Sequence, residues 1–244
     1  MCAANATADE VINIRSLHHR LGHVVANSIR TLVCFQAIQG ISLIDDRHPI
    51  YCESCEYAKT TRKAIKKECE GVLAKSFGEE IHTDIWGLSP LNTIGSRRYY
   101  ITFTDDYSHF SYIKLLHTKD KAFQAYKDFA AWVFTQHSMK IKRLRSDCGG
   151  KYTSSEFDCY LKGQGTEHCL TTHDTPQHNG VAESLNRRLL EWVRAILHQS
   201  GLPKYLWGEA IYFATWLKNR MSTRALGNTT PYKPLHSEKP VEEC

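Results

Sequence analysis

Short apolar runs alternate with longer amphipathic segments over most of the chain beyond residue 79. Five runs rich in Tyr, Ile, Thr, Leu and Phe are predicted as strands, at residues 80–85, 98–104, 112–116, 141–145 and 167–170. A turn around residues 105–108 joins the second strand to the third. The pattern therefore predicts a sheet whose first three strands follow one another closely along the chain.

Helical periodicity fills the segments between and after these strands. Thr118 is a candidate cap for a helix in which apolar residues recur at three- and four-residue spacing. Those residues are Ala122, Phe123, Tyr126, Phe129, Ala130, Val133 and Phe134. Further helices are predicted over residues 154–162, 183–198 and 204–219. Gly201 and Pro203 would end the second of these helices.

The order of the elements predicts a mixed α/β fold with a five-stranded sheet and flanking helices. The first three strands suit an antiparallel meander, and the fourth returns through a helix and can lie parallel to the first. The predicted divisions are a disordered lead-in at 1–16, a small unit at 17–67, a linker at 68–79, a main domain at 80–220 and an extension at 221–244. No internal repeat or low-complexity tract interrupts them.

Composition narrows the class of protein. The chain has 244 residues, 42% of them apolar, and a net charge of +5, which permits a nucleic-acid partner without requiring one. Nine cysteines, an odd number, do not indicate a disulfide framework. The polar N-terminus lacks a secretory signal, and no stretch approaches 18 apolar residues. We therefore expect an intracellular protein with reduced thiols.

Three acidic residues carry the strongest indication of chemistry. Asp84 in IHTDIWG and Asp147 in RLRSDCGG each lie at the end of a strand-like run, and Glu183 in HNGVAESLNR lies near the start of a predicted helix. Carboxylates from two strand ends and a helix start can converge, and oxygen-only ligands suit Mg²⁺ or Mn²⁺. Each acid taken alone could equally be a solvated loop residue or a helix cap.

The surroundings of these acids strengthen the joint interpretation. Gly149 and Gly150 follow Asp147, as expected where the backbone turns beside a ligand. Residues 175–180 are predicted as a polar loop that enters the helix of Glu183, which is a suitable place to receive phosphate.

The small N-terminal unit contains a candidate zinc site. His18 and His23 precede a C-x2-C pair, Cys52 and Cys55, and two imidazoles with two thiolates form a tetrahedral zinc set. His19 is an alternative to His18. A redox C-x-x-C pair and unrelated buried cysteines are the other interpretations.

A basic run, KTTRKAIKK, follows the cysteine pair. It includes Lys59, Arg62 and Lys63, which are candidates for contact with nucleic-acid phosphates. A solvated helix face explains the same run equally well.

Several motifs occur together in a recognisable order. They are HRLGH, CESCEYAK, HTDIWG, YYITFTDDYS, RSDCGGKY, TPQHNGVAESLNR and LPKYLWGEA. As an ordered set over about residues 17–240, they resemble the integrases of copia-type LTR retrotransposons. The resemblance implies a ribonuclease H-like integrase core preceded by a small helical zinc-binding domain.

The resemblance also implies site residues and partners. Asp84, Asp147 and Glu183 match the catalytic triad that holds two Mg²⁺ or Mn²⁺ ions, and the His and Cys residues match the site of one structural Zn²⁺. The nucleic-acid contacts implied near the triad are Gln177, His178, Asn179, Asn186 and Arg187. An Arg four residues after a Glu can instead form a weak surface pair.

The implied reaction is polynucleotidyl transfer, in which water trims the ends of element DNA and a 3′-hydroxyl then attacks target DNA. The expected partners are element and target DNA, with RNA as a further candidate, and a second copy of the chain in at least a dimer. The expected locations are the nucleus and the cytoplasm. Because such integrases continue into further segments, we expect a fragment of a polyprotein.

The sequence departs from the family pattern at several positions, and two other functions fit the same motifs. The family usually has Trp where Leu17 stands, Asn where Cys148 stands and Glu where Lys151 stands. Basic residues are usual after the Glu, whereas Ser184 and Leu185 follow Glu183 here. The alternatives are a ribonuclease H-like nuclease that cuts without joining, and a catalytically silent zinc- and nucleic-acid-binding remnant of a retroelement.

Overall fold

The computed structural model describes residues 10–38, 40–44, 50–59, 74–147, 154–171 and 176–240, with the backbone alone at 59, 171 and 176–182. Its N-terminal unit consists of β1 (Glu10–Asn13), α1 (Ile14–Arg20), α2 (Ala26–Cys34), β2 (Ile41–Ile44) and α3 (Glu53–Lys59). β1 pairs with β2 in parallel. The Asn13 side chain caps α1 by accepting from the Ser16 N–H at 2.7 Å.

These elements correct the predicted lead-in over residues 1–16. Residues 10–16 form β1 and the start of α1, where Ile12 and Ile14 are buried, and residues 1–9 lie outside the described part. Leu17, at the position where the family usually has Trp, is 1% exposed and so still anchors the unit. The apolar core of the unit also includes Leu217 and Met221 from the C-terminal part of the chain.

The main domain contains a five-stranded mixed sheet, as predicted. Its strands are β3 (Glu80–Trp86), β4 (Tyr99–Asp105), β5 (Ser111–Leu116), β6 (Arg143–Asp147) and β7 (Glu167–Thr171). They lie in the order β5-β4-β3-β6-β7. β3, β4 and β5 form the antiparallel meander, while β6 runs parallel to β3 and β7 runs parallel to β6.

Five α-helices follow in the described part of the main domain and the C-terminal extension, and α8 was not predicted. They are α4 (Ala122–His137), α5 (Ser155–Gln164), α6 (Pro176–Ser200), α7 (Trp207–Arg220) and α8 (Tyr232–His236). A 3-10 turn precedes α4, and the Thr118 side chain makes no capping hydrogen bond there. α6 begins at Pro176, seven residues before the predicted start, because proline suits the first turn of a helix.

The early start of α6 makes the predicted polar loop at 175–180 wrong for residues 176–180. Residues 74–79 likewise pack against the domain instead of forming the end of a linker. Phe77 is buried in its core, and the Gly78 N–H donates to Asp105 Oδ1 at 2.8 Å. Residues 68–73 lie outside the described part.

Helices cover both faces of the sheet and bury two separate apolar clusters. On one face α4 and α5 pack on β3 and β4, with Phe129 stacked on Phe103 at a ring distance of 4.6 Å. On the other face α6 and α7 pack over Tyr100. Among the described helices, none combines the length and apolar character that crossing a bilayer requires. The layered sheet fixes the positions of the strand ends that carry the candidate site.

Candidate functional site

Two of the predicted acids lie at neighbouring positions in the sheet. β3 and β6 run parallel with Glu80 opposite Arg143 and His82 opposite Arg145. Extending this register by two residues places Asp84 beside Asp147. Because paired residues of parallel strands project to the same side of a sheet, the two carboxylates share one face and one edge.

α6 crosses this edge of the sheet. The Asn186 Nδ2 amide donates to Asp84 Oδ2 at 2.7 Å, and the Ile85 N–H donates to Asp84 Oδ1 at 2.8 Å. Glu183 lies three residues before Asn186, which places it on the same side of the helix, and it is exposed. The helix thereby carries the third acid to the neighbourhood of Asp84.

The three carboxylates nevertheless do not form a closed cluster. Within the described residues, the His/Cys group discussed below is the one set of three or more ligand side chains close enough to share an ion. Asn186 accounts for part of this difference, because it engages one Asp84 oxygen. Side-chain movement around Asp84 would be needed before all three acids could bind one cation.

The donor set around Asp84 fits a hard divalent cation. Asn186 Oδ1 is buried, and no hydrogen-bond partner for it is present among the described residues. This oxygen lies on the same amide that contacts Asp84, so an uncommitted acceptor accompanies the carboxylate. Oxygen atoms of this kind are the preferred ligands of Mg²⁺ and Mn²⁺.

A buried tyrosine lies beside the same acid. Tyr100 is fully buried and stacks on Trp86 at a ring distance of 5.2 Å. Burial, together with the negative charge of Asp84, raises the pKa of the Tyr100 phenol far above its ordinary value. Tyr100 therefore stays protonated and neutral next to the acidic edge.

A hydrogen-bonded relay lies behind Asp147 and was not predicted from the sequence. Ser146 Oγ lies 3.0 Å from His168 Nε2, and His168 Nδ1 lies 3.1 Å from Asp158 Oδ1. Ser146 is only 2% exposed, so its hydroxyl cannot act as an accessible nucleophile. The relay instead ties the end of β6 to β7 and α5. No local motif signals it, because its members belong to three different elements.

The N-terminal unit brings the four predicted zinc ligands together. The ligand atoms of His18, His23, Cys52 and Cys55 all lie within 4.8 Å of one another. Cys52 Sγ is 3.2 Å from His23 Nδ1, and Cys55 Sγ is 3.4 Å from His18 Nε2. His19 Nε2 is 3.9 Å from Cys52 Sγ and is not a member of the tetrad. The geometry therefore selects His18 over His19.

The chemistry of the tetrad suits zinc. His18 Nδ1 lies 2.7 Å from the Val24 carbonyl, which orients the ring so that Nε2 faces the thiols. Burial and the neighbouring His18 lower the pKa of His23 to about 4, so its imidazole is neutral at pH 7, as ligation requires. Two imidazoles and two thiols are consistent with a structural zinc site.

The zinc unit packs directly on the helix that carries Glu183. Ser54 Oγ lies 3.0 Å from His198 Nδ1, and Tyr57 stacks on His198 at a ring distance of 4.9 Å. Arg194 donates to the Ala58 carbonyl at 3.2 Å. α6 thus contacts Asp84 near its middle and α3 near its end.

The predicted nucleic-acid contacts have mixed outcomes. The Asn186 side chain is 5% exposed and its amide donates to Asp84, so a contact with nucleic acid there stays a prediction. Arg187 is half-buried on α6. Arg62 and Lys63 lie outside the described residues, together with Cys148, Gly149, Gly150 and Lys151. Lys59 ends α3, and Gln177, His178 and Asn179 lie in the first turns of α6, with the backbone alone described.

Comparisons with known proteins agree with this architecture. No protein-family model matches the chain. The chain is 36% identical over 227 residues to the retrovirus-related Pol polyprotein from transposon TNT 1-94 of Nicotiana tabacum, a match that covers 93% of the chain and 17% of that relative. The chain thus spans about a sixth of the length of the curated relative that it matches.

A solved structure shares the fold. A chain from the cryo-EM structure of the simian T-cell lymphotropic virus intasome in complex with PP2A regulatory subunit B56 gamma aligns with a TM-score of 0.57 and 17% identity. The alignment covers 79% of the present chain and 66% of that chain. With the mixed sheet and the His/Cys tetrad, these matches identify the chain as similar to a region of a retrotransposon Pol polyprotein that has an integrase-like fold.

Proposed function

We propose that the chain is the metal-dependent polynucleotidyl transferase part of a retrotransposon integrase, which trims element DNA ends and joins them to target DNA. The observation that supports this most strongly is the register of β3 and β6, which sets Asp84 beside Asp147 at the sheet edge crossed by α6. Glu183 supplies the third acid from that helix.

The residues of the chain act mainly by positioning charge. Divalent cations, when bound by the three acids, would stabilise the attacking and leaving oxygens of phosphoryl transfer. Asn186 and the Ile85 N–H hold the two oxygens of Asp84, and the Ser146–His168–Asp158 relay holds the strand end that bears Asp147. Neutral Tyr100 adds no negative charge to this acidic edge.

DNA is the proposed substrate and nucleic-acid partner. The first turns of α6, with Gln177, His178 and Asn179, lie seven or fewer residues before Glu183, so phosphates contacted there would be close to the acids. A helix N-terminus favours phosphate through its free N–H groups and its dipole. Joining two element ends to one target also implies at least two copies of the chain.

The silent-remnant alternative has one supporting observation. The three carboxylates do not form a closed cluster, and Asn186 engages Asp84 in their place. If this arrangement is rigid, the protein would bind zinc and nucleic acid without catalysis.

A single assay separates the candidate functions. Purified protein is incubated with Mn²⁺, a labelled duplex that carries an element end, and unlabelled target DNA. Joined products longer than the labelled strand support the transferase, whereas shortened strands alone indicate a nuclease. Absence of both products, with zinc bound and the protein folded, supports the remnant.

Asn186→Ala tests whether the amide positions Asp84. We expect DNA joining to fall about 10- to 100-fold, as is typical when a residue that orients a metal ligand is removed. Mn²⁺ affinity, measured by calorimetry, should fall in parallel. Ser184→Ala, on the same helix and half-buried, is the matched control and should retain activity. An Asn186→Ala protein with unchanged Mn²⁺ affinity would contradict the positioning role.

A further inference from the structure

A cleft lies where the zinc unit, α6, α7 and the sheet meet. Its volume is about 370 Å³, and its walls include residues from all four parts of the fold. The proposed polynucleotidyl transfer does not use this cleft, because Asp84, Asp147 and Glu183 are not part of its lining.

Three groups that can donate hydrogen bonds and carry positive charge line the cleft: His109, Arg188 and Lys218. They also act on one another electrostatically. The positive charges of Lys218 and Arg188 contribute, after burial, to a lowered pKa of the His109 imidazole. Positive charges this close together repel one another unless an anion binds between them.

Lys218 has only neutral acceptors. Its ammonium donates to the His109 carbonyl and to the Ser111 hydroxyl at 2.7 Å, and it lies 3.5 Å from Asn219 Oδ1. Within the described part of the chain, no carboxylate forms an ion pair with Lys218 or Arg188. Burial and the positive charge of Arg188 lower the pKa of Lys218 to about 7, and the negative charge of Asp105 offsets only part of this decrease.

His109 provides an independent indication of a ligand. Its Nε2 atom is buried and has no hydrogen-bond partner in the part of the chain that the structure describes. A buried polar atom without a partner is uncommon, because leaving it unsatisfied costs about 1–3 kcal/mol. Glu191 supplies the one carboxylate among the described residues that line the cleft, and it makes no hydrogen bond to His109 Nε2.

We infer that this cleft binds a phosphate-class anion, which Arg188, Lys218 and His109 hold together. Phosphate offers several acceptor oxygens and more than one negative charge, which matches three donors that face one space. A phosphate of a nucleic-acid backbone and a free polyphosphate present the same chemistry. Since His23 and Cys55 also line the cleft, the bound anion would lie beside the zinc tetrad and against α6.

The test uses the full chain loaded with zinc and sodium tripolyphosphate as the probe. Calorimetry should show saturable binding that sodium chloride at equal ionic strength does not reproduce. Arg188→Gln should weaken binding at least tenfold. Because Arg188 is exposed, this variant should keep the wild-type fold. Lys204→Gln removes one exposed positive charge outside the cleft and should bind like the wild type.

A second variant keeps the test decisive. His109 has a φ of +54°, a conformation that asparagine tolerates, so His109→Asn should fold and also bind more weakly. Equal binding by the wild type and both variants, or binding no stronger than in the salt control, would overturn the inference. Displacement of tripolyphosphate by an unlabelled DNA duplex identifies the backbone phosphate as the source. Simultaneous binding of both identifies a free polyphosphate.

Discussion

Asp147→Asn is expected to reduce metal-dependent joining and cleavage of DNA by at least about 10²–10³-fold, the range typical for losing one preorganised electrostatic contact in an active site. The amide keeps the shape of the side chain but removes the negative charge that would hold a divalent cation. Asp84→Asn should have the same effect, because the register of β3 and β6, extended by two residues, brings Asp84 opposite Asp147. Both are measured with labelled DNA ends and Mn²⁺.

A matched control separates this effect from general loss of charge. Asp120 is an exposed acid in the turn before α4, and its side chain lies outside the acidic edge. Asp120→Asn should therefore join DNA at the wild-type rate. If Asp147→Asn keeps the wild-type rate while remaining folded by circular dichroism, the chemistry does not depend on this acid.

Cys52→Ser combined with Cys55→Ser is expected to remove the zinc and unfold the N-terminal unit. Structural zinc contributes an apparent binding free energy of about 10–16 kcal/mol in small zinc domains, which is far more than a unit of this size gains from its apolar core. Because Leu217 and Met221 belong to the same core, thermal unfolding of the remaining protein should also begin at lower temperature.

Metal analysis and thermal unfolding together check the zinc prediction. The wild type should contain about one zinc per chain, and the double variant should contain none. Cys34→Ser changes an exposed cysteine outside the tetrad and serves as the control. A metal-free double variant that unfolds at the wild-type temperature would show that the tetrad is not a stabilising zinc site.

Local pattern was sufficient for the sheet and for the two candidate cysteine ligands of zinc. β-branched and aromatic runs identified all five strands to within two residues at either end, since each strand has a buried face that demands such side chains. The C-x2-C spacing selected Cys52 and Cys55, and only the folded geometry could choose between His18 and His19. The choice depends on which imidazole faces the thiols, which spacing does not encode.

Tertiary contacts explain what local pattern missed. Residues 10–13 become a strand only because Ile41–Ile44 pairs with them, and that partner lies far along the chain. Polar residues at 176–180 suggested a loop, yet Pro176 starts a helix whose later turns pack on the sheet. The relay through His168 depends on the neighbouring positions of β6, β7 and α5, so no single segment reveals it.

The same limit applies to the acidic site. Order along the sequence predicted that Asp84 and Asp147 share a sheet edge, and the parallel pairing of β3 with β6 is consistent with that prediction. The sequence did not predict that the Asn186 amide donates to Asp84. Inward orientation follows from its place on the buried side of α6, one residue after the core residue Leu185.

Counting the Mn²⁺ ions bound by the zinc-loaded protein tests most directly whether the three acids act as one site. Calorimetry on the wild type should show Mn²⁺ binding that Asp84→Asn, Asp147→Asn and Glu183→Gln each abolish or weaken at least tenfold, while Asp120→Asn leaves it intact. Mn²⁺ binding that is unchanged in Glu183→Gln, or absent from the folded wild type, would contradict a shared metal site and with it the proposed transferase.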